Sequence, residues 1–141
     1  MKLAFSFANQ IAKIIKTDYI DRIAHIDLSR NCLQDAGSQL VVDAIKNSYQ
    51  IVSLNLMHND ISPEGMTYIF SELAGSESLV TLLVGASDSY NRNRFGANTL
   101  DPFIKFVDTN RMVQFLNVAS VQLGTVGFKA LFDLYANFAE Y

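Results

Sequence analysis

The chain is poor in the residues that usually announce chemistry. Its 141 residues include one cysteine, Cys32, and two histidines, His25 and His58. A lone cysteine excludes an internal disulfide and any multi-cysteine zinc site, and it fits a reducing, cytoplasmic setting. Eleven Lys and Arg stand against fourteen Asp and Glu. That mildly acidic balance lacks the basic face that phosphate contacts need, so neither nucleic acid nor an anionic membrane is expected as a partner. Long apolar runs are missing as well, and none approaches the roughly 20 residues that cross a bilayer. The opening stretch MKLAFSFANQIAKIIK puts Lys2 ahead of a short apolar segment, but Asn9, Gln10, Lys13 and Lys16 interrupt it, and it is not read as a secretory signal. No glycine-rich phosphate loop of the P-loop or Rossmann type is present, and no cofactor is expected.

What is present is apolar material, half of the residues, in a length that suits a single domain spanning residues 1–141. That material repeats. Ile26, Leu54, Leu82 and Leu116 mark successive units, stepping by 28, 28 and 34 residues. Unit one reads Ile23, Ile26, Leu28, Asn31, Leu33, Gly37; unit two reads Ile51, Leu54, Leu56, Asn59, Ile61, Gly65. Unit three opens with Leu79, Leu82 and Val84, then departs into an insertion near residues 87–94 before Asn93 and Phe95 restore the pattern. Unit four, Val113, Leu116, Val118, Val121, Leu123, Gly127, keeps the apolar spacing but has Val121 in the asparagine's place.

Alternation such as Ile26-Asp27-Leu28 puts the apolar members on one face of a short strand, and that face needs a covering layer. Helical segments supply it. In unit two Ser62 can cap, Pro63 fits the first helical position and Glu64 meets the positive end of the dipole, before Met66, Ile69, Phe70 and Leu73 form an apolar stripe. Unit one offers Leu40, Val41, Ala44 and Ile45. Unit three is expected to start its helix at Asp101-Pro102, with Phe103, Phe106 and Val107 inward, and unit four offers Phe128, Leu131, Leu134, Tyr135 and Phe138. Residues 1–22 carry Leu3, Phe7, Ile11, Ile14 and Ile15 at helical spacing and read as a capping helix over the open flank of the first strand.

The pattern L-x-x-L-x-L-x-x-N-x-L followed by a helix resembles a leucine-rich repeat, and the 28-residue step with a long helical half is similar to the ribonuclease-inhibitor-like class. The resemblance covers about Ile23 to Tyr141. It implies an α/β solenoid of about four repeats, short parallel strands on the concave side and helices on the convex side, in which stacking makes the core that no unit has alone. It also implies a protein partner. A dedicated ribonuclease inhibitor does not fit, because that family is longer and rich in cysteine.

If the alternation faces the core, the intervening residues form columns on the concave side: His25, Ser53, Thr81, Phe115, and Asp27, Asn55, Leu83, Asn117, with Arg30 and His58 just beyond the strands. This is a graded surface, polar at one end and apolar at the other. The insertion adds Tyr90, Arg92 and Arg94, residue types favoured at binding hot spots. The residues expected to bind are thus His25, Asp27, Arg30, Asn55, His58, Leu83, Tyr90, Arg92, Arg94, Phe115 and Asn117. Asn31 and Asn59 are expected to be scaffold, since an amide at a sharp turn satisfies backbone groups. Cys32, His25, His58 and Asp27 are the only conceivable catalytic set, and their spacing along a strand and a turn does not make one. The expected function is a non-enzymatic protein-binding module. The alternatives are a structural subunit of a large assembly or a fragment of a longer array, contacting neighbours through its helical side or its open last edge, and a regulator of a GTPase or other enzyme.

Overall fold

The computed structural model describes residues 2–17 and 22–138. The elements alternate in the predicted order: α1 (Lys2–Ile15), β1 (His25–Asp27), α2 (Gln34–Ile45), β2 (Ser53–Asn55), α3 (Pro63–Leu73), β3 (Thr81–Leu83), α4 (Ala97–Thr109), β4 (Phe115–Asn117) and α5 (Gly124–Phe138). The four strands form one parallel sheet in sequence order. The register is that of the repeat, with Ile26, Leu54, Leu82 and Leu116 side by side. Each strand is three residues long because only its central residue and the next apolar position turn inward before the chain bends away toward its helix.

The core lies between sheet and helices. Leu54, Leu56, Ile61, Met66, Ile69 and Phe70 are fully buried. Phe70 is its centre, meeting Phe95, Phe103 and Phe106 with ring centroids 5.5, 5.0 and 5.3 Å away in edge-on or tilted pairs, the arrangement aromatic quadrupoles favour.

The repeated asparagines lace the units together. Asn59 Oδ1 accepts the backbone N–H groups of Asn31 and Leu33, both at 3.1 Å, and its amide donates to Leu28 and Leu56 carbonyls at 2.9 and 3.0 Å. Asn93 does the same one unit later, for Asn59 and Ile61 N–H and for Leu56 and Val84 carbonyls. Both are buried, and neither has a free polar group left to recognise anything.

Helix starts follow chemistry that only partly shows in the sequence. Ser62 caps α3 as expected, accepting Glu64 N–H at 3.2 Å, and its own N–H is held by Asp35 of α2 at 2.8 Å. Gly65 is required there: a Cβ would stand 2.6 Å from Ile61 Cγ2. In contrast, α4 starts at Ala97, five residues before Pro102. Thr99 Oγ1 accepts Gly96 N–H at 3.1 Å and donates to Pro63 O at 3.0 Å, anchoring this earlier start. Pro102 is then internal, and the Asn98 carbonyl, which its missing N–H cannot reach, accepts the Thr67 hydroxyl of α3 instead.

Two helix faces differ from expectation. In α1 the buried residues are Ala8, Ala12 and Ile15, whereas Phe7 and Ile14 are exposed and the side chain of Leu3 lies outside the described residues. Small residues face inward because α1 packs directly on α2 in the helical layer, bordering the flank of β1 without closing it. In α5, Phe128 is 67% exposed and Leu131 is half-buried; the side chains of Leu134, Tyr135 and Phe138 lie outside the described residues.

Candidate functional site

The concave columns form as the register requires: Ser53 pairs with His25 and Thr81, and Thr81 with Phe115, while Asn55 pairs with Asp27 and Leu83, and Leu83 with Asn117. Phe115 is 64% exposed at the end of its column, and Leu83 is half-buried between two amides. The polar members of the second column have a second task. Asp27 Oδ1 accepts Ser29 N–H at 2.9 Å, Asn55 Oδ1 accepts Met57 N–H at 3.0 Å and Asn117 Oδ1 accepts Ala119 N–H at 2.9 Å. Each starts an Asx-type turn out of its strand. Asn55 also donates to Asp27 Oδ2 at 3.0 Å. The Ser29 N–H holds the Asp27 carboxyl below the usual carboxylate range, with Asn55 adding to it.

Unit three has Leu83 where the others have this turn-forming side chain, and here the chain leaves the repeat path. Units one, two and four place Arg30, His58 and Ser120 in the left-handed region directly afterwards, at φ of 61°, 57° and 58°. The insertion instead folds back over the turns of units one and two. Its anchor is His58. Ser87 N–H donates to Nε2 at 2.9 Å, so Nε2 is the acceptor and the Nδ1–H donates to Tyr90 O at 2.9 Å. Arg30 reaches the same loop, with its guanidinium 3.0 Å from Asp88 Oδ2. Asn91 donates to Cys32 Sγ at 3.0 Å, and Arg94 pairs with Asp60 at 3.3 Å.

This corrects the reading of His58 as a free concave residue. It is 2% exposed, with both ring nitrogens committed to the insertion. Arg30 and Arg94, expected to face a partner, are each engaged by an aspartate of this chain. Arg92 is half-buried. Tyr90 is the residue the clamp holds outward, at 70% exposure. Among the described residues, no group of three His, Cys, Asp or Glu side chains gathers that could hold a metal ion.

The Asp88 carboxyl lies below its ordinary range, chiefly because Tyr90 N–H donates to it and then because of Arg30. On the helical side, Tyr68 donates to Asp43 at 2.7 Å and Lys46 bridges Asp43 and Glu72 at 3.0 and 2.6 Å, tying α2 to α3. Sequence reasoning missed Asn110, whose buried amide Oδ1 accepts Met112 and Val113 N–H while its Nδ2 reaches Leu73 O, closing the turn into β4. An asparagine directly after a helix, ahead of the next apolar strand, was the available signal.

No curated protein matches the chain. Residues 51–70, which span β2 and the first part of α3, match the family model described as Leucine Rich repeat. Together with the parallel in-register sheet and a helix after every strand, that match makes the architecture a leucine-rich repeat solenoid.

Proposed function

We propose that the chain is a non-enzymatic protein-binding module that engages its partner with the concave face and the insertion rim. The observation that carries this reading is the pair of in-register columns, which ends in exposed Phe115 beside half-buried Leu83 and begins with exposed His25 and Asp27. An apolar anchor at one end and polar groups at the other is the composition of an interface core and its rim. Tyr90, whose backbone is held by His58 and Asp88, extends that surface at the strand ends with an exposed aromatic. Asp27, Asn55 and Asn117 retain acceptor or donor capacity beyond their turn bonds and are assigned to the rim. The 28-residue step favours the ribonuclease-inhibitor-like class, and exposed, unpaired Cys32 favours a reducing cytoplasm.

The catalytic alternative is poorly supported, because His58 spends both ring nitrogens on the loop and Cys32 faces an asparagine amide. The test is affinity purification with mass spectrometry, followed by quantified binding of the recovered partner. Phe115→Asp and Tyr90→Ala are expected to weaken binding by about tenfold or more each, as hot-spot truncations do. Partner binding that survives both, yet is lost when exposed α2 or α3 residues are changed, would move the interface to the convex side.

A further inference from the structure

Residues 87–90 are held differently from the chain on either side of them. Backbone bonds fix both flanks: Ala86 N–H donates to Ala119 O at 2.8 Å, and Asn91 O accepts Asp60 N–H at 2.8 Å. Between those points, among the described residues, two side chains make the hydrogen bonds and ion pairs to the rest of the molecule. His58 takes Ser87 N–H on Nε2 and gives its Nδ1–H to Tyr90 O, both at 2.9 Å. Arg30 reaches Ser87 Oγ at 3.3 Å and Asp88 Oδ2 at 3.0 Å.

The Nε2 bond constrains what His58 can carry. A ring nitrogen that accepts a backbone N–H must present its lone pair, and a protonated nitrogen has none to present. The imidazolium and the Ser87 N–H bond are therefore mutually exclusive. His58 is 2% exposed, so water cannot relieve a proton on Nε2 unless the segment moves. Arg30, from the turn of unit one, sets a guanidinium nitrogen 3.4 Å from Nε2, where that proton would arrive. Asp88 Oδ1, from the insertion, lies 3.5 Å from Nδ1, which carries its proton in either state, and the same carboxylate also serves Arg30 and Tyr90 N–H. Asp60, on the same turn as His58, is engaged by Arg94 and Gln34. Ser87 Oγ, 3.1 Å from Nε2, can accept the new proton only once Ser87 N–H has turned away.

We propose that His58 is a proton-operated latch: uptake of one proton at Nε2 expels Ser87 N–H, pushes the Arg30 guanidinium back and frees the segment that carries Tyr90. The latch is closed with neutral His58. Its contribution is full above the value near about 6.5 at which a free imidazole takes a proton, and it declines as pH falls below that value. The Asp88 carboxyl lies below its ordinary range and stays ionised meanwhile, so on acidification this step comes before the one that protonation of Asp88 brings. The latch itself stands on the bonds around His58, whereas its use in regulating a partner rests on the rim reading proposed above.

Ring-nitrogen NMR and amide hydrogen exchange of the whole chain test it. At about pH 7.5 the His58 ring should show a bare Nε2 and a protonated Nδ1. Between about pH 7.5 and about pH 5.5 the protection of the Ser87 amide, corrected for the intrinsic pH dependence of exchange, should fall by about three- to tenfold; about tenfold is what one imidazole of ordinary affinity can deliver over that range. Ile61, whose amide donates to Asn93, should keep its protection. His58→Gln offers an amide oxygen to Ser87 N–H without a titrating group, and should remove the step. The proposal is overturned by a proton on Nε2 at the higher pH, by Ser87 protection that does not change over the range, by an equal loss at Ile61, or by a step that survives in His58→Gln. The ring and Ser87 measurements on the unmodified protein decide the matter even where His58→Gln disturbs the fold.

Discussion

Units two and four share one apolar spacing, yet the first is the best-buried part of the molecule and the second the least. In unit two, Leu54, Leu56, Ile61, Met66, Ile69 and Phe70 are fully enclosed, because a strand and a helix lie on either side. Among the described residues, unit four has a neighbour on one side only. Leu116, Val118, Leu123 and Leu131 stay half-exposed, and α5 presents Val126, Phe128 and Phe132 outward. A cleft of about 340 Å³, lined by Leu100, Leu123 and Val126 among others, lies between the first turns of α4 and α5. The asparagine follows the same logic. Asn59 and Asn93 each satisfy groups of the preceding unit and of their own, whereas Val121 satisfies none with its side chain, although its carbonyl accepts Phe95 N–H at 2.7 Å. Burial in this fold is therefore a property of position in the stack, and identical sequence patterns have different energetic worth along it.

The sharpest way to break the comparison is to truncate an equally large side chain at each place. Phe70→Ala removes the hub of the aromatic cluster and should cost about 3–5 kcal/mol, whereas Phe132→Ala, 64% exposed, should stay within about 0.5 kcal/mol. Urea denaturation of the two variants measures the contrast, and equal losses would refute it.

Asn59→Ala comes next. Leu28 and Leu56 carbonyls keep the amides of Asn31 and Asn93, but the N–H groups of Asn31 and Leu33 lose their acceptor. Two orphaned donors, at least one of them buried, should cost about 2–4 kcal/mol. The matching change in unit four, Val121→Thr, should cost less than half of that in the same denaturation series.

A smaller effect is expected from Gly65→Ala, about 1–3 kcal/mol, since the added methyl meets Ile61 and Asp35 where α3 starts. The equivalent Gly127→Ala meets Leu123 Cγ at 2.7 Å but nothing like Asp35 from a second unit, and should cost less than Gly65→Ala. Thermal midpoints of the two variants, compared with the parent, test this pair.

The least global prediction concerns the insertion. The folded Asp88 carboxyl lies below its ordinary value, so its contribution is present above the unfolded value near about 4 and is lost as pH falls through the folded value. Acidification below about pH 4 should loosen residues 87–91 in hydrogen exchange. Asp88→Asn should raise exchange there at neutral pH and remove that local pH step. Asp27 and Asp43 shift in the same direction, so the general acid sensitivity of the fold persists in this variant.

Most of the architecture was legible in the chain because it depends on spacing alone. A constant 28-residue step places Ile26, Leu54 and their asparagines in register, and Ser62-Pro63 starts a helix through local bonds. The start of α4 was not legible, since Thr99 earns its role only by reaching Pro63 O in another unit. Nor was the buried face of α1, where Ala8 and Ala12 win over Phe7 because a neighbouring helix must come close.

The concave columns were readable as positions, but not their commitments. That Asp27, Asn55 and Asn117 turn the chain follows from neighbours two residues on, and was within reach of local reasoning. The insertion was not. Its bonds join residues far apart in the chain, from Arg30 to Asp88 and from His58 to Tyr90, and no periodicity encodes where a non-repeating loop comes to rest. By itself, the sequence determined the repeat, its register and the scaffold role of its asparagines, since covalent spacing and alternation act locally. Only the tertiary structure decided that His58 anchors a loop, that Arg30 and Arg94 bind aspartates of their own chain, and that α1 turns Ala8 and Ala12 toward its neighbour, because those outcomes depend on which surfaces meet once the units are stacked.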